Sequence, residues 1–203
     1  MSTLNCPNCG AAVEPELACV RMSTCTSCGT ALLLNDAVVQ IAGSGGVMHD
    51  VPLLFGLGDD VRIGHRVFHV RGHVRYSYGR GTWDEFWCTD ADDDPVWISI
   101  DEGDVAVQRA TNPPSRQTKF GGYRVGEGLA IDRDDFTVVE VETAECIAVQ
   151  GQFDEVIRVG DTHKFVNAEG LRGHLLSGET WDGGEKWFLG RWHDPFDIKV
   201  QRL

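Results

Sequence analysis

Two short motifs near the start of the chain, CPNCG and CTSCG, constrain it more than any other feature. They place Cys6, Cys9, Cys25 and Cys28 as two C-x2-C pairs with fifteen residues between them. A glycine follows each pair, Gly10 and Gly29, where a metal knuckle needs a residue tolerant of positive φ. Two such knuckles on facing hairpins set four thiolates tetrahedrally around Zn2+. A pair of redox-active C-x-x-C centres would instead want a helix after each pair within a βαβ unit, and neither pair has one. The spacing therefore predicts a closed, structural zinc ribbon with no position open to water or substrate. So small a ribbon has too little core to fold without its metal. Cys19 is left as a spare thiol, while Cys88 and Cys146 lack any neighbouring motif and read as small buried apolar groups.

After the knuckles, ALLLNDAVVQIAG (31–43) is apolar enough for the ribbon's last strand or a short packing helix, and periodicity over so few residues does not separate the two. GSGGVMHDVP then reads as a flexible linker. The expected organisation is a ribbon over 1–42, a linker over 43–54 and a main domain over 55–203, with a break near 111–122 at TNPPSRQTKFGG. In the main domain, Phe68, Val70, Val74 and Tyr76 alternate with His65, His69, Arg71, His73 and Arg75, with a bend at Gly72. That period of two marks a strand with one apolar and one polar face. GRGT and DADDDP turn the chain into further strands, and the half after the break repeats the rhythm. A faint internal match lays Trp83-Asp84-Glu85 over Phe153-Asp154-Glu155, Trp97 over Phe165, and Glu102-Gly103 over Glu169-Gly170. The expected fold is mainly β: an antiparallel β-sandwich or half-open barrel built from two related meanders, plus the small zinc ribbon.

A net charge of −13 excludes nucleic acid as the main partner, because phosphate backbones require clustered Lys and Arg. The same field favours a cationic ligand or a basic patch on another protein. No apolar run approaches the roughly 18 residues of a membrane span. The opening MSTLNCPNCG lacks the charged and apolar regions of a secretory signal, so the reading is cytoplasmic.

The stretch GTWDEFWCTDADDDPVWISIDEG holds the other candidates. As a calcium loop, Asp90, Asp92 and Asp94 would fill positions 1, 3 and 5 and Asp101 position 12, but Pro95 occupies the position that needs glycine. The segment reads as a solvated turn. Asp84 and Glu85 are adjacent on one strand and leave opposite faces, so they do not form a catalytic carboxylate pair. Trp83, Glu85 and Trp87 share a face, with Trp97 on the next strand. They are core, or else a ligand or partner surface that holds a cationic amine by cation–π contact. His65, His69 and His73 are too far apart along a strand to share a metal and are expected to face solvent. No nucleophile elbow, P-loop or dinucleotide fingerprint occurs, and no catalytic residue is assigned.

From about Phe55 onward the chain resembles the bacterial family named domain of unknown function 4178. The resemblance rests on Gly58-Asp59, on Val70 with Gly72 and Tyr76, on Trp83-Asp84-Glu85 and Trp97, and later on Ser177, Glu179, Glu185 and Gly190. It implies a β-rich fold and a domain that can follow an N-terminal zinc ribbon, with no established activity. It also implies a genomic neighbourhood of polyamine-synthase-like enzymes, ion-channel-like membrane proteins and phage-shock-type stress proteins. The acidic turn at 90–94 departs from the family's pattern. Together these readings point to a non-enzymatic cytosolic binding or adaptor protein in a membrane-stress or polyamine-linked assembly. Its partners would be other proteins, such as membrane-associated stress proteins or polyamine enzymes. The alternative is a binder of, or enzyme acting on, cationic small molecules such as polyamines.

Overall fold

The computed structural model describes residues 4–35, 38–116 and 122–202, and among them the chain is almost all β, with no α-helix. Five short strands form the N-terminal part: β1 (Leu4–Asn5), β2 (Ala12–Val13), β3 (Met22–Thr24), β4 (Thr30–Asn35) and β5 (Val38–Ser44). The segment read as a last strand or short helix is thus two strands of a hairpin, β4 and β5.

Twelve strands follow: β6 (Asp60–Ile63), β7 (Arg66–Ser77), β8 (Thr82–Thr89), β9 (Pro95–Asp101), β10 (Asp104–Thr111), β11 (Ser115–Arg116), β12 (Gly128–Ile131), β13 (Asp134–Phe153), β14 (Thr162–Gly170), β15 (His174–Trp181), β16 (Gly184–His193) and β17 (Ile198–Gln201). Residues 117–121, the centre of the expected break, lie outside the described residues.

Local sequence explains the hairpins. Between β9 and β10, Glu102 and Gly103 both take positive φ (50° and 98°), the tight-turn geometry that matches the twist of antiparallel strands. Between β8 and β9, the Asp90 carboxylate accepts from the backbone N–H groups of Asp92 and Asp94 at 3.0 and 3.1 Å, and Arg109 pairs with it. The acidic tip is a turn organised by its first aspartate, as Asp side chains do in loops.

β7 to β10 form one meander and β13 to β16 a second. β10 pairs with β16, and the second half of β13 pairs with β7, so the eight strands close into a circuit. β13 makes this possible by changing partner: Phe136–Glu145 lies along β14, and Cys146–Gly151 along β7. The result is a barrel of two meanders. The internal sequence match is out of phase with it. Trp83-Asp84-Glu85 lies within β8, whereas Phe153 ends β13 and Asp154-Glu155 follows it.

The ribbon is built into this body. β3 pairs with the end of β13, and Met22 and Leu32, both fully buried, share a core with Trp87, Trp97 and Phe153. The stretch expected to be a flexible linker is seated on the barrel: the Val149 N–H donates to the Gly45 carbonyl at 2.8 Å, and Arg75 donates to the His49 carbonyl at 2.8 Å. Two further cores lie outside the barrel wall, one under β6 and β17 around Phe55, Phe68 and Phe86, the other around Phe136, Leu176 and Trp187.

Histidines expected to face solvent include one that does not. His73 is 3 % exposed, and its Nε2 lies 2.6 Å from Asp84 Oδ1, while Arg75 reaches the same carboxylate at 2.8 and 3.2 Å. The register shift at Gly72 splits the expected apolar face of β7, Phe68 and Val70 entering one core and Val74 and Tyr76 another, and turns His73 toward Phe86. The chain after the ribbon covers this side, and its charges persist there because they are paired. Burial opposes ionisation of Asp84, but His73 and Arg75 outweigh it and lower its pKa.

Gly72 sits at the register shift in β7. A Cβ there would lie 2.4 Å from the Phe153 ring and 2.5 Å from the Gln152 carbonyl. Gly72→Ala is expected to destabilise the protein by about 2 kcal/mol, read as a lower denaturant midpoint with unchanged slope.

Candidate ligand cavity and metal centre

The barrel encloses a cavity of about 600 Å³, within the range of small-molecule sites. All eight strands of the circuit contribute lining residues. One wall is aromatic. The Trp83 ring stacks on Tyr76 at 5.0 Å between centroids, and Phe165 meets both edge-on, at 4.9 and 5.0 Å. Trp97 lies between Phe153 on the ribbon side and Phe188 across the barrel.

The polar lining is mostly acidic: ten carboxylates face Arg158, Lys186 and His163. They fall into two groups. At the centre, Glu85 accepts from Trp83 Nε1 at 3.1 Å and from Ser99 Oγ at 3.4 Å through one oxygen. Its other oxygen has no partner among the described residues. Burial first, and then the Glu179 carboxylate, push the Glu85 pKa up to about 7. Glu179 in turn pairs with His163. At the exposed rim, Asp101, Glu102, Asp104 and Glu140 cluster; burial and these neighbours raise the Asp101 pKa, and its Oδ1 is buried without a partner. Glu85 lies opposite Ser99, and Asp101 is two residues further along β9, so the groups are offset by about 7 Å along the strand. Tyr76 is only 6 % exposed, and among the described residues its hydroxyl has no hydrogen-bond partner.

Of the surface residues expected from the sequence, Trp83, Glu85 and Trp97 line the cavity. Trp87 does not. It lies on the same face one step further along β8, where Met22 and its ribbon neighbours cover it completely. Glu179, Asp101, Tyr76 and Phe165 were not foreseen as a site; each comes from a different strand, and no local motif joins them. Lys186 pairs with Glu155, and burial lowers its pKa.

The second site is the cysteine cluster. The four sulfurs of Cys6, Cys9, Cys25 and Cys28 lie within 4.8 Å of one another, with Cys6–Cys28 at 3.8 Å and Cys9–Cys25 at 3.6 Å. A tetrahedral ion with metal–sulfur bonds near 2.3 Å requires sulfur separations of about 3.8 Å. The donor set therefore fits a soft divalent metal. Each knuckle closes by a 2.8 Å backbone bond, Gly10 to Cys6 and Gly29 to Cys25, with both glycines at positive φ. The Thr30 hydroxyl and backbone N–H, with the Asn8 amide, hold Cys28 down to about 6, which favours thiolate. No other group of His, Cys, Asp or Glu among the described residues is gathered closely enough to hold a metal, the acidic turn at 90–94 included.

No helix among the described residues is long and apolar enough to cross a membrane. No curated protein matches the chain, and no solved structure does. Residues 56–195 match the family described as Domain of unknown function (DUF4178), a match that spans the whole eight-stranded circuit, and the chain belongs to that family.

Proposed function

We propose that this protein binds a linear polyamine inside the barrel, and that its cysteine cluster carries a structural zinc ion. The observation that supports this most is the cavity itself: an aromatic wall beside two offset carboxylate groups, one holding an unpartnered buried oxygen. An ammonium placed against Trp83 and Tyr76 meets ring faces and the free Glu85 oxygen together, which is how organic cations are held. A second ammonium, three or four carbons along, reaches the Asp101 group. The role inferred for the family's genomic neighbours is compatible with such a ligand. The geometry favours this reading over a docking adaptor, because the ribbon already uses its apolar face against the barrel.

Calorimetry with spermidine at physiological salt tests the reading, since attraction to net charge alone fades with ionic strength. A one-site isotherm that persists in salt is expected, with a neutral diol of the same length silent. Absence of saturable heat for any diamine or triamine would remove the proposal.

A further inference from the structure

A second concavity, about 740 Å³, lies outside the barrel between the β6–β7 hairpin, β10, β16 and the C-terminal strand β17. Its character is opposite to that of the rest of the molecule. Arg62, Arg66, Arg109, Arg191 and Lys199 line it, against the single carboxylate of Asp197. Five of the chain's 18 lysines and arginines thus converge on one groove of a protein whose net charge is −13.

Two of these cations have partners and three do not. Arg109 pairs with Asp90, and Arg191 donates to the Arg172 carbonyl at 3.2 Å. The side chains of Arg62, Arg66 and Lys199 make no ion pair or hydrogen bond among the described residues. Like charges gathered without partners repel one another, so the arrangement is unfavourable until an anion arrives. Phe68, Val107 and Leu189 form an apolar floor, and the ring of Phe196, 93 % exposed, stands at the edge.

We propose that this groove is a second binding site, for a compact phosphate-bearing ligand. Guanidinium groups present paired donors that match phosphate oxygens, and four of the five cations are Arg residues, one each from β6, β7, β10 and β16. The size of the occupant follows from the surrounding field. A long polyanion would run from the groove onto a surface that is strongly acidic, whereas a compact one is neutralised within it. His193 supplies a reporter. Burial and then Arg191 lower its pKa, with only Asp197 opposing; the charges facing it are those of the groove. A bound phosphate adds negative charge beside it and raises that midpoint.

The probe is inorganic tripolyphosphate, titrated into the full chain at physiological salt, with a single-stranded oligonucleotide as the long-polyanion comparison. Tripolyphosphate is expected to saturate one site and to raise the His193 midpoint in a proton NMR titration. Arg62→Ser/Arg66→Ser, both exposed, should lose at least tenfold in affinity while keeping the same melting temperature. Lys199→Ser is the second variant should the first pair perturb the hairpin. No saturable binding, binding unchanged in both variants, an unmoved His193 midpoint, or tighter binding of the oligonucleotide would each overturn the proposal. The cavity's polyamine site shares no charged residue with this groove, so the two proposals stand or fall separately.

Discussion

Glu85→Gln is expected to stabilise the ligand-free protein at neutral pH and at the same time to weaken polyamine binding. The two effects share one cause. The Glu85 carboxyl titrates at about 7 in the folded chain, because burial and Glu179 oppose its charge. Unfolded, it titrates near the ordinary glutamate value. Between these two values the folded state holds a proton that the unfolded state has released, so stability falls as pH rises through that window. Above pH 7 the full penalty is present, about 3 kcal/mol. Glutamine keeps the acceptor for Trp83 and Ser99 without the charge, so thermal unfolding should shift upward at pH 8 and be unchanged near pH 4. The lost ammonium partner should weaken spermidine binding at least tenfold, about 1.4 kcal/mol. A variant that is less stable at pH 8, or that binds as tightly as the parent, contradicts the assignment.

The second large effect concerns the ribbon. Cys25→Ser removes one sulfur from the cluster, and Cys25 is itself only 5 % exposed. Loss of the metal is expected to cost on the order of 4 kcal/mol, in the range typical of broken metal sites. The damage should not stay local. Met22 and Leu32 share a core with Trp97 and Phe153, and Trp97 is also a wall of the cavity. Chelation should therefore redden tryptophan emission and reduce spermidine affinity in parallel with metal release. Elemental analysis should find one zinc per chain in the parent and less than a tenth of that in the variant. A chelated protein with native emission and native affinity would mean that the ribbon does not support the barrel.

What could be read from the sequence was what is local. The four cysteines of the cluster lie in two close pairs with their glycines in place, so spacing alone picked them out as a group. Strand alternation and turn residues likewise showed a β fold of two meanders. The closure of the barrel was less visible, because β10–β16 and β7–β13 join residues some eighty apart in the chain, and only the second half of β13 pairs with β7. The cavity was hidden for a related reason. Asp101, Glu140 and Glu179 come from three strands, and each taken singly looks like a solvent-facing carboxylate; only Glu85 stood out, through its tryptophan neighbours. His73 shows another failure: the register shift at Gly72 splits the expected apolar face of β7 and turns His73 to the side of Phe68, Val70 and Phe86, and nothing nearby revealed that the segment around His49 would cover it. The basic groove was masked by the overall charge, which is an average and says nothing about where the few cations gather.

A cation that enters the cavity in the proposed mode meets the Glu85 carboxylate. Binding should then ionise Glu85, whose pKa of about 7 leaves it largely protonated at mildly acid pH in the empty protein. The most direct measurement is spermidine calorimetry at about pH 6.5 in buffers of different ionisation enthalpy, with Glu85→Gln alongside. Release of most of one proton per site is expected from the parent protein, beyond any the ligand itself contributes, and none of that excess from the variant. Binding without proton release, or release of equal size in both proteins, would contradict that mode.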